Sequence, residues 1–140
     1  MSVPETPDAR AATGVAGVPR LVLRAEGAAI LLVAAVLYDK AGSSWWTFAI
    51  LFLAPDVSFA GYLAGPRAGA VIYNIAHTLI VPLLLAAAGM LWPVSFVVPL
   101  SLIWIAHIGF DRMLGYGLKY AAGFGFTHLG RIGRGSGGET

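Results

Sequence analysis

The chain has 140 residues, 58% of them hydrophobic and 11% charged, with no cysteine and a formal net charge of +2. Soluble domains carry about 25% charged residues, so this balance makes lipid the expected solvent for most side chains and leaves no length for a separate soluble domain. The absent cysteines exclude disulfides, zinc–thiolate sites and thiol catalysis. The basic residues sit at segment ends and read as orientation signals, so no nucleic-acid partner is expected.

Residues 1–20 are rich in Pro, Gly, Ala and Thr and show no periodic apolar face, which predicts a disordered N-terminal tail. Residues 21–120 predict an all-α, four-helix transmembrane bundle, with spans near 21–38, 45–63, 68–90 and 94–118. Each span has roughly the 17–25 residues that cross a hydrocarbon core as a helix, and irregular backbone would be too costly in lipid. Polar or breaking stretches separate them: DKAGSS, AGPR and WPV. Residues 121–140 form a glycine-rich tail, expected at the interface and flexible.

Lys and Arg set the orientation. Arg10, Arg20, Arg24, Arg67, Lys119, Arg131 and Arg134 fall on one side and Lys40 alone on the other. The positive-inside rule then puts both termini in the cytoplasm, with the chain multi-pass in the membrane. Trp45, Trp46 and Trp92 fall at the outer boundary and Tyr116 and Tyr120 at the inner one, as an aromatic belt requires. Membrane lipids are the expected partners. Arg112, Tyr116 and Lys119 are expected to anchor to headgroups.

Ionisable groups inside spans are costly and usually face other helices or a water-filled cavity. Here they are Glu26, Asp56, His77, His107 and Asp111, one set on every span, with Tyr73 and Asn74 completing a polar network beside His77. His107 and Asp111 are spaced i, i+4 and share a face with Trp104. Arg112 lies about 100° round the helix from Asp111, so it can reach phosphate headgroups while Asp111 looks inward. Pro55 removes a backbone donor just before Asp56 and frees the carbonyl of Leu51, a device also found in the broken helices of membrane binding sites. Gly61 and Gly65 make a G-x-x-x-G pair, the signal behind a possible homodimer. PDVSFAGYLAG and FDRMLGYGLKY also echo one another, each an acidic residue followed by Gly-Tyr and Leu.

PDVSFAGYLAGPRAG, YNIAHTLIVPL and HIGFDRMLGYGLKY with FTHLG closely resemble the small bacterial membrane proteins of the family labelled domain of unknown function 4260, over roughly Leu21 to Ile132. The resemblance implies an integral membrane protein and brings no activity with it. A looser likeness is to membrane-bound metal-dependent hydrolases, which pair a Pro-Asp segment with a following histidine-bearing helix. Asp56 and His77 match those parts, but the second acidic residue and histidine usual just after the Pro-Asp are missing here.

Three functions stay open. In the first, Asp56, His77, His107 and Asp111 ligate Zn or Mn, with Glu26 as general base or as a carboxylate orienting a histidine, and His128 folding back as a further ligand. Such an ion would activate water against an ester or phosphoester. In the second, the same residues relay protons in an oligomeric small-solute transporter. In the third, the chain is a structural or partner subunit with a buried polar network. No phosphate loop, nucleophile elbow or dinucleotide fingerprint is present.

Overall fold

The computed structural model describes residues 14–121 and 125–132. Most of the predicted N-terminal tail and the end of the predicted C-terminal tail lie outside them. Helix α1 spans Gly17–Lys40, α2 Trp45–Leu51, a 3₁₀ helix Ala54–Ala64, α3 Pro66–His77, α4 Ile80–Leu91 and α5 Val97–Leu114. Together they make four segments long and apolar enough to cross a membrane: Gly17–Lys40, Trp45–Ala64, Pro66–Leu91 and Val97–Leu114. Over the described residues the chain is thus a multi-pass integral membrane protein, a helical bundle of four spans. Helix α1 already begins at Gly17, inside the stretch expected to be disordered.

Helix α5 is the centre of the bundle, buried along Ser101, Leu102, Ile103, Ile105, Ala106, His107, Ile108 and Gly109. Helices α1, α4 and the 3₁₀ helix all pack on it. Helix α1 approaches most closely. A Cβ on Gly27 would fall 2.8 Å from the Gly109 carbonyl, and a Cβ on Gly109 would fall 2.8 Å from the Gly27 carbonyl. Small residues permit such contact, and in lipid van der Waals packing is what drives helix association. The outward faces are apolar, as at Leu32, Val33, Ile50, Leu63, Leu84 and Met90.

Two spans expected to be continuous are broken. In the second, Pro55 has no N–H for the Leu51 carbonyl, and the Asp56 N–H turns to the Leu53 carbonyl at 3.1 Å. The chain then continues as a 3₁₀ helix of 11 residues, although such helices seldom run beyond three or four. In the third, Thr78 adopts extended backbone (φ −84°, ψ 143°). Pro82 lacks the N–H that would have met the Thr78 carbonyl.

The long 3₁₀ segment fits its neighbour. Three residues per turn at about 2.0 Å rise advance about 6 Å, as do four residues of α-helix at about 1.5 Å. Asp56, Phe59 and Tyr62 therefore keep step with His77, Tyr73 and Gly69 on α3. Tyr62 lies where a Cβ on Gly69 would sit, within 2.3 Å of its ring. Phe59 stacks on Tyr73 at 5.2 Å between centroids, and Asp56 reaches His77. Gly61 packs on Ile72 of the same chain, and Gly65 takes φ 109° in the turn to α3. The G-x-x-x-G pair is thus used inside the chain, where the sequence suggested a dimer face.

The fourth span stops at Leu114, not Leu118. Gly115 is left-handed (φ 93°), with its N–H on the Arg112 carbonyl at 3.0 Å and the Tyr116 N–H on the Asp111 carbonyl at 2.8 Å, which closes the helix in a Schellman motif. Arg24 Nε donates to the Met113 carbonyl at 2.8 Å. Beyond the turn, β1 (Phe126–Thr127) and β2 (Gly130–Arg131) pair antiparallel, and Lys119 bridges to Thr127. Thr127 and Leu129 are buried. The part of the tail expected to be flexible is, over 125–132, a packed hairpin. Its anchor is Val15, whose N–H donates to the His128 carbonyl at 2.8 Å.

Candidate metal centre

Asp56, His77, His107 and Asp111 converge, with one donor atom from each and all four within 4.8 Å of one another. His77 Nε2 lies 3.4 Å from Asp56 Oδ1 and 3.4 Å from Asp111 Oδ2. His107 Nε2 lies 3.3 Å from Asp56 Oδ1 and 3.5 Å from Asp111 Oδ2. The two Nε2 atoms are 3.2 Å apart. Both histidines are buried. Asp111 is 15% and Asp56 32% exposed, so the centre opens on the Asp56 side.

The broken helices aim these groups. His77 is the last residue of α3, and its Nδ1 meets the Tyr73 carbonyl at 2.9 Å. A carbonyl only accepts, so Nδ1 carries the proton and Nε2 presents its lone pair to the centre. Tyr73 also stacks on the imidazole, 3.8 Å between centroids and 11° between planes. The Ala76 carbonyl, freed where the Ile80 N–H turns to Thr78 Oγ1 at 3.4 Å, accepts from Trp104 Nε1 at 2.6 Å. On the other side, His107 Nδ1 is buried without a well-formed hydrogen bond. The backbone acceptor facing it is the Phe52 carbonyl, which the Pro55 break releases. Phe52 packs edge-on against the His107 ring at 5.4 Å.

Counting residues along the spans spreads Asp111 and His77 to different depths, yet they meet. The segment after Leu114 explains it. Asn74 Nδ2 donates to the Lys119 carbonyl at 2.8 Å, and the Lys119 N–H donates to Asn74 Oδ1 at 2.7 Å. Asn74 lies roughly 12 Å along α3 from Pro66 at about 1.5 Å per residue, so the chain after α5 packs level with the inside of the third span. Asp111 is correspondingly deep. Non-helical backbone at such a level must be satisfied by protein, and the Asn74 amide does this by mimicking a paired strand.

The remaining sequence candidates fall elsewhere. Glu26 is exposed on α1, outside the cluster, where its charge acts on Arg112. His128 turns from the centre: its Nδ1 accepts the Leu118 N–H at 2.9 Å. Burial, then the Arg112 charge, push His128 below the ordinary histidine value. Tyr116 is exposed and Arg112 half-buried, both compatible with a headgroup. Lys119 is not an anchor of that kind. It is 5% exposed, with Nζ 4.8 Å above the Tyr73 ring and 5.9 Å from that of Phe59. Burial holds its amine down to about 8, with Asp111 opposing.

The site also uses Phe52, Phe59 and Trp104, none of them a candidate from sequence. Of these only Trp104 carried a signal, its place on the His107–Asp111 face. The echo between 55–65 and 110–120 brings both acidic residues to one centre, but on unlike backbones, a 3₁₀ helix and the last turn of α5.

No curated protein and no solved structure matches the chain. Residues 20–132 match the family described as domain of unknown function DUF4260, and the chain belongs to that family.

Proposed function

We propose that Asp56, His77, His107 and Asp111 bind one divalent metal ion, zinc or manganese, and that the protein is a membrane-embedded metal-dependent hydrolase of esters or phosphoesters. One observation carries the metal site. Donors about 2.0–2.1 Å from a tetrahedral ion stand about 3.3–3.4 Å apart, and five of the separations within the cluster run from 3.2 to 3.5 Å.

The donor chemistry agrees. Two carboxylates and the His77 lone pair all seek a cation, and two imidazoles with two carboxylates suit zinc or manganese. His77 Nδ1 donates to the Tyr73 carbonyl, the arrangement that fixes tautomer and ring orientation in metal-ligating histidines. A bound ion would supply Lewis acidity, and because four protein donors fill a tetrahedral shell, a water would reach it only as a fifth ligand, its pKa then lowered. The chain's own part is to hold the donors, to exclude lipid with Phe52, Phe59 and Tyr73, and to leave the Asp56 side open.

The test is metal content by mass spectrometry on detergent-purified protein, beside His77→Ala and Asp111→Ala. About one zinc or manganese per chain, lost in both variants, is expected. Folded wild-type protein that takes up neither ion overturns the reading and directs work to proton flux in liposomes.

The distribution of Lys and Arg supports both termini on the cytoplasmic side of a bacterial inner membrane. Because the chain has no cysteine, single cysteines replacing Ser43 and Arg67 report the orientation. Only the Ser43→Cys protein should react with an impermeant thiol reagent added outside.

A further inference from the structure

Asp56 and Asp111 carry their carboxylates into a cleft of about 250 Å³ whose other walls include Phe59, Tyr73, Tyr116 and Lys119. The lysine is placed with care. Both polar groups of its backbone are held by the Asn74 amide, and its amine lies over the Tyr73 ring. A lysine needed only to neutralise an aspartate requires no such clamp on its main chain. One brought to a wall shared with metal ligands is in position to meet what the ion meets.

The charge balance decides which substrates fit. The two carboxylates outweigh Lys119, so the cleft repels anions while it holds no ion. A divalent ion cancels both carboxylates and leaves the lysine's positive charge in excess. The loaded cleft therefore attracts an anion, whereas a neutral carboxylic ester gains only a hydrogen bond to its carbonyl oxygen from the ammonium there. Phosphate oxygens accept such charge-assisted hydrogen bonds.

We propose that the cleft takes the phosphate group of a phosphoester, with Lys119 Nζ binding one of its oxygens beside the ion, so that phosphoesters are the substrate class. This rests on the metal reading above.

Inorganic phosphate titrated by calorimetry into the manganese-loaded protein tests it, with metal content measured on every sample. Phosphate should bind the loaded wild type and not the chelator-treated protein. Lys119→Met should keep its metal and bind phosphate about tenfold more weakly or worse, and Lys119→Arg should restore binding. Unchanged phosphate affinity in metal-replete Lys119→Met overturns the inference while the metal reading stands. Wild type without metal overturns both.

If Lys119→Met does not fold, Tyr116→Glu at the exposed rim serves instead. Its added carboxylate should weaken phosphate binding by a similar factor, and no effect counts against the cleft. Competition then separates the sources. Displacement of phosphate by phosphatidate in mixed micelles assigns a lipid, displacement by glycerol phosphate a soluble ester, and displacement by neither overturns the proposal.

Discussion

His107 brings its Nε2 to 3.2 Å from the Nε2 of His77, from the middle of one helix to the broken end of another. Two carboxylate oxygens stand within 3.5 Å of the same pair. A divalent cation between them would satisfy all four donors at once. The protein should therefore be more stable with metal than without. At a free ion concentration of 100 Kd the gain is about 2.7 kcal/mol. Chelator should lower the midpoint of thermal unfolding in detergent, zinc or manganese should restore it, and His107→Ala should abolish the response. A midpoint indifferent to chelator and metal would count against the centre.

Trp104 ties the break in the third span to α5 through the 2.6 Å bond from its Nε1 to the Ala76 carbonyl. Trp104→Phe keeps most of the ring and removes the donor, leaving a part-buried carbonyl unsatisfied at a cost of about 1–3 kcal/mol. Because Ala76 directly precedes His77, metal affinity should fall as well. Thermal unfolding and a metal titration on one preparation read both effects. A destabilised variant with unaltered affinity would show that the bond holds the helix and not the ligand.

Pro55→Ala probes the register of the second span. It restores the backbone donor that lets an α-helix continue past Leu51. At 3.6 residues per turn, Asp56, Phe59 and Tyr62 no longer share one face and lose step with His77, Tyr73 and Gly69. Metal affinity should drop about tenfold or more, and thermal stability should fall with the lost Phe59 and Tyr62 contacts. An unchanged metal affinity would mean that the proline does not set the position of Asp56.

The same segment shows how far the sequence could be read. Hydropathy reveals four spans because lipid punishes polar residues everywhere along them, so the bundle and its turns are legible in composition alone. The candidate ligands stand out for the same reason: Asp56, His77, His107 and Asp111 are costly there. What composition cannot carry is pitch. Asp56, Phe59 and Tyr62 recur every third residue, but reading the segment as an α-helix hides that face. Depth fails similarly at Asp111, because the span ends in a left-handed glycine at 115 and not at Leu118. Lys119 reads as a headgroup anchor when counted along a helix. Its burial depends on the Asn74 clamp, a contact across 45 residues that no local pattern announces.

Gly109 tests the closest helix contact. A Cβ there would sit 2.7 Å from the Leu31 nitrogen and 2.8 Å from the Gly27 carbonyl. Backbone cannot yield as a side chain can, so Gly109→Ala should force α1 away from α5. The expected cost is about 1–3 kcal/mol, as for other overpacked cores. Since His107 is two residues away, metal affinity should also decline. The paired change Gly27→Ala should destabilise similarly, and the double variant less than the sum, because one displacement of α1 relieves both clashes.

His128 gives the C-terminal hairpin a pH dependence. Its neutral Nδ1 accepts the Leu118 N–H, and burial together with Arg112 holds its folded pKa below the ordinary 6.5. The unfolded hairpin therefore binds a proton more readily than the folded one, and stability must fall as pH drops. The loss begins near the unfolded value of 6.5 and is complete below the folded one. At neutral pH the hairpin is at full strength. Exchange of the Leu118 and Lys119 amides should be well protected at pH 8 and markedly faster at pH 5, after correction for the intrinsic pH dependence of exchange. His128→Gln offers an amide oxygen that does not titrate, so the difference should shrink. Equal corrected protection at both pH values in the wild type would show that the Leu118 bond does not hold the hairpin down. Lys119 follows Leu118 directly, so in the acid range the Asn74 clamp should loosen with it, and the Asn74 side-chain amide resonances should broaden over the same interval.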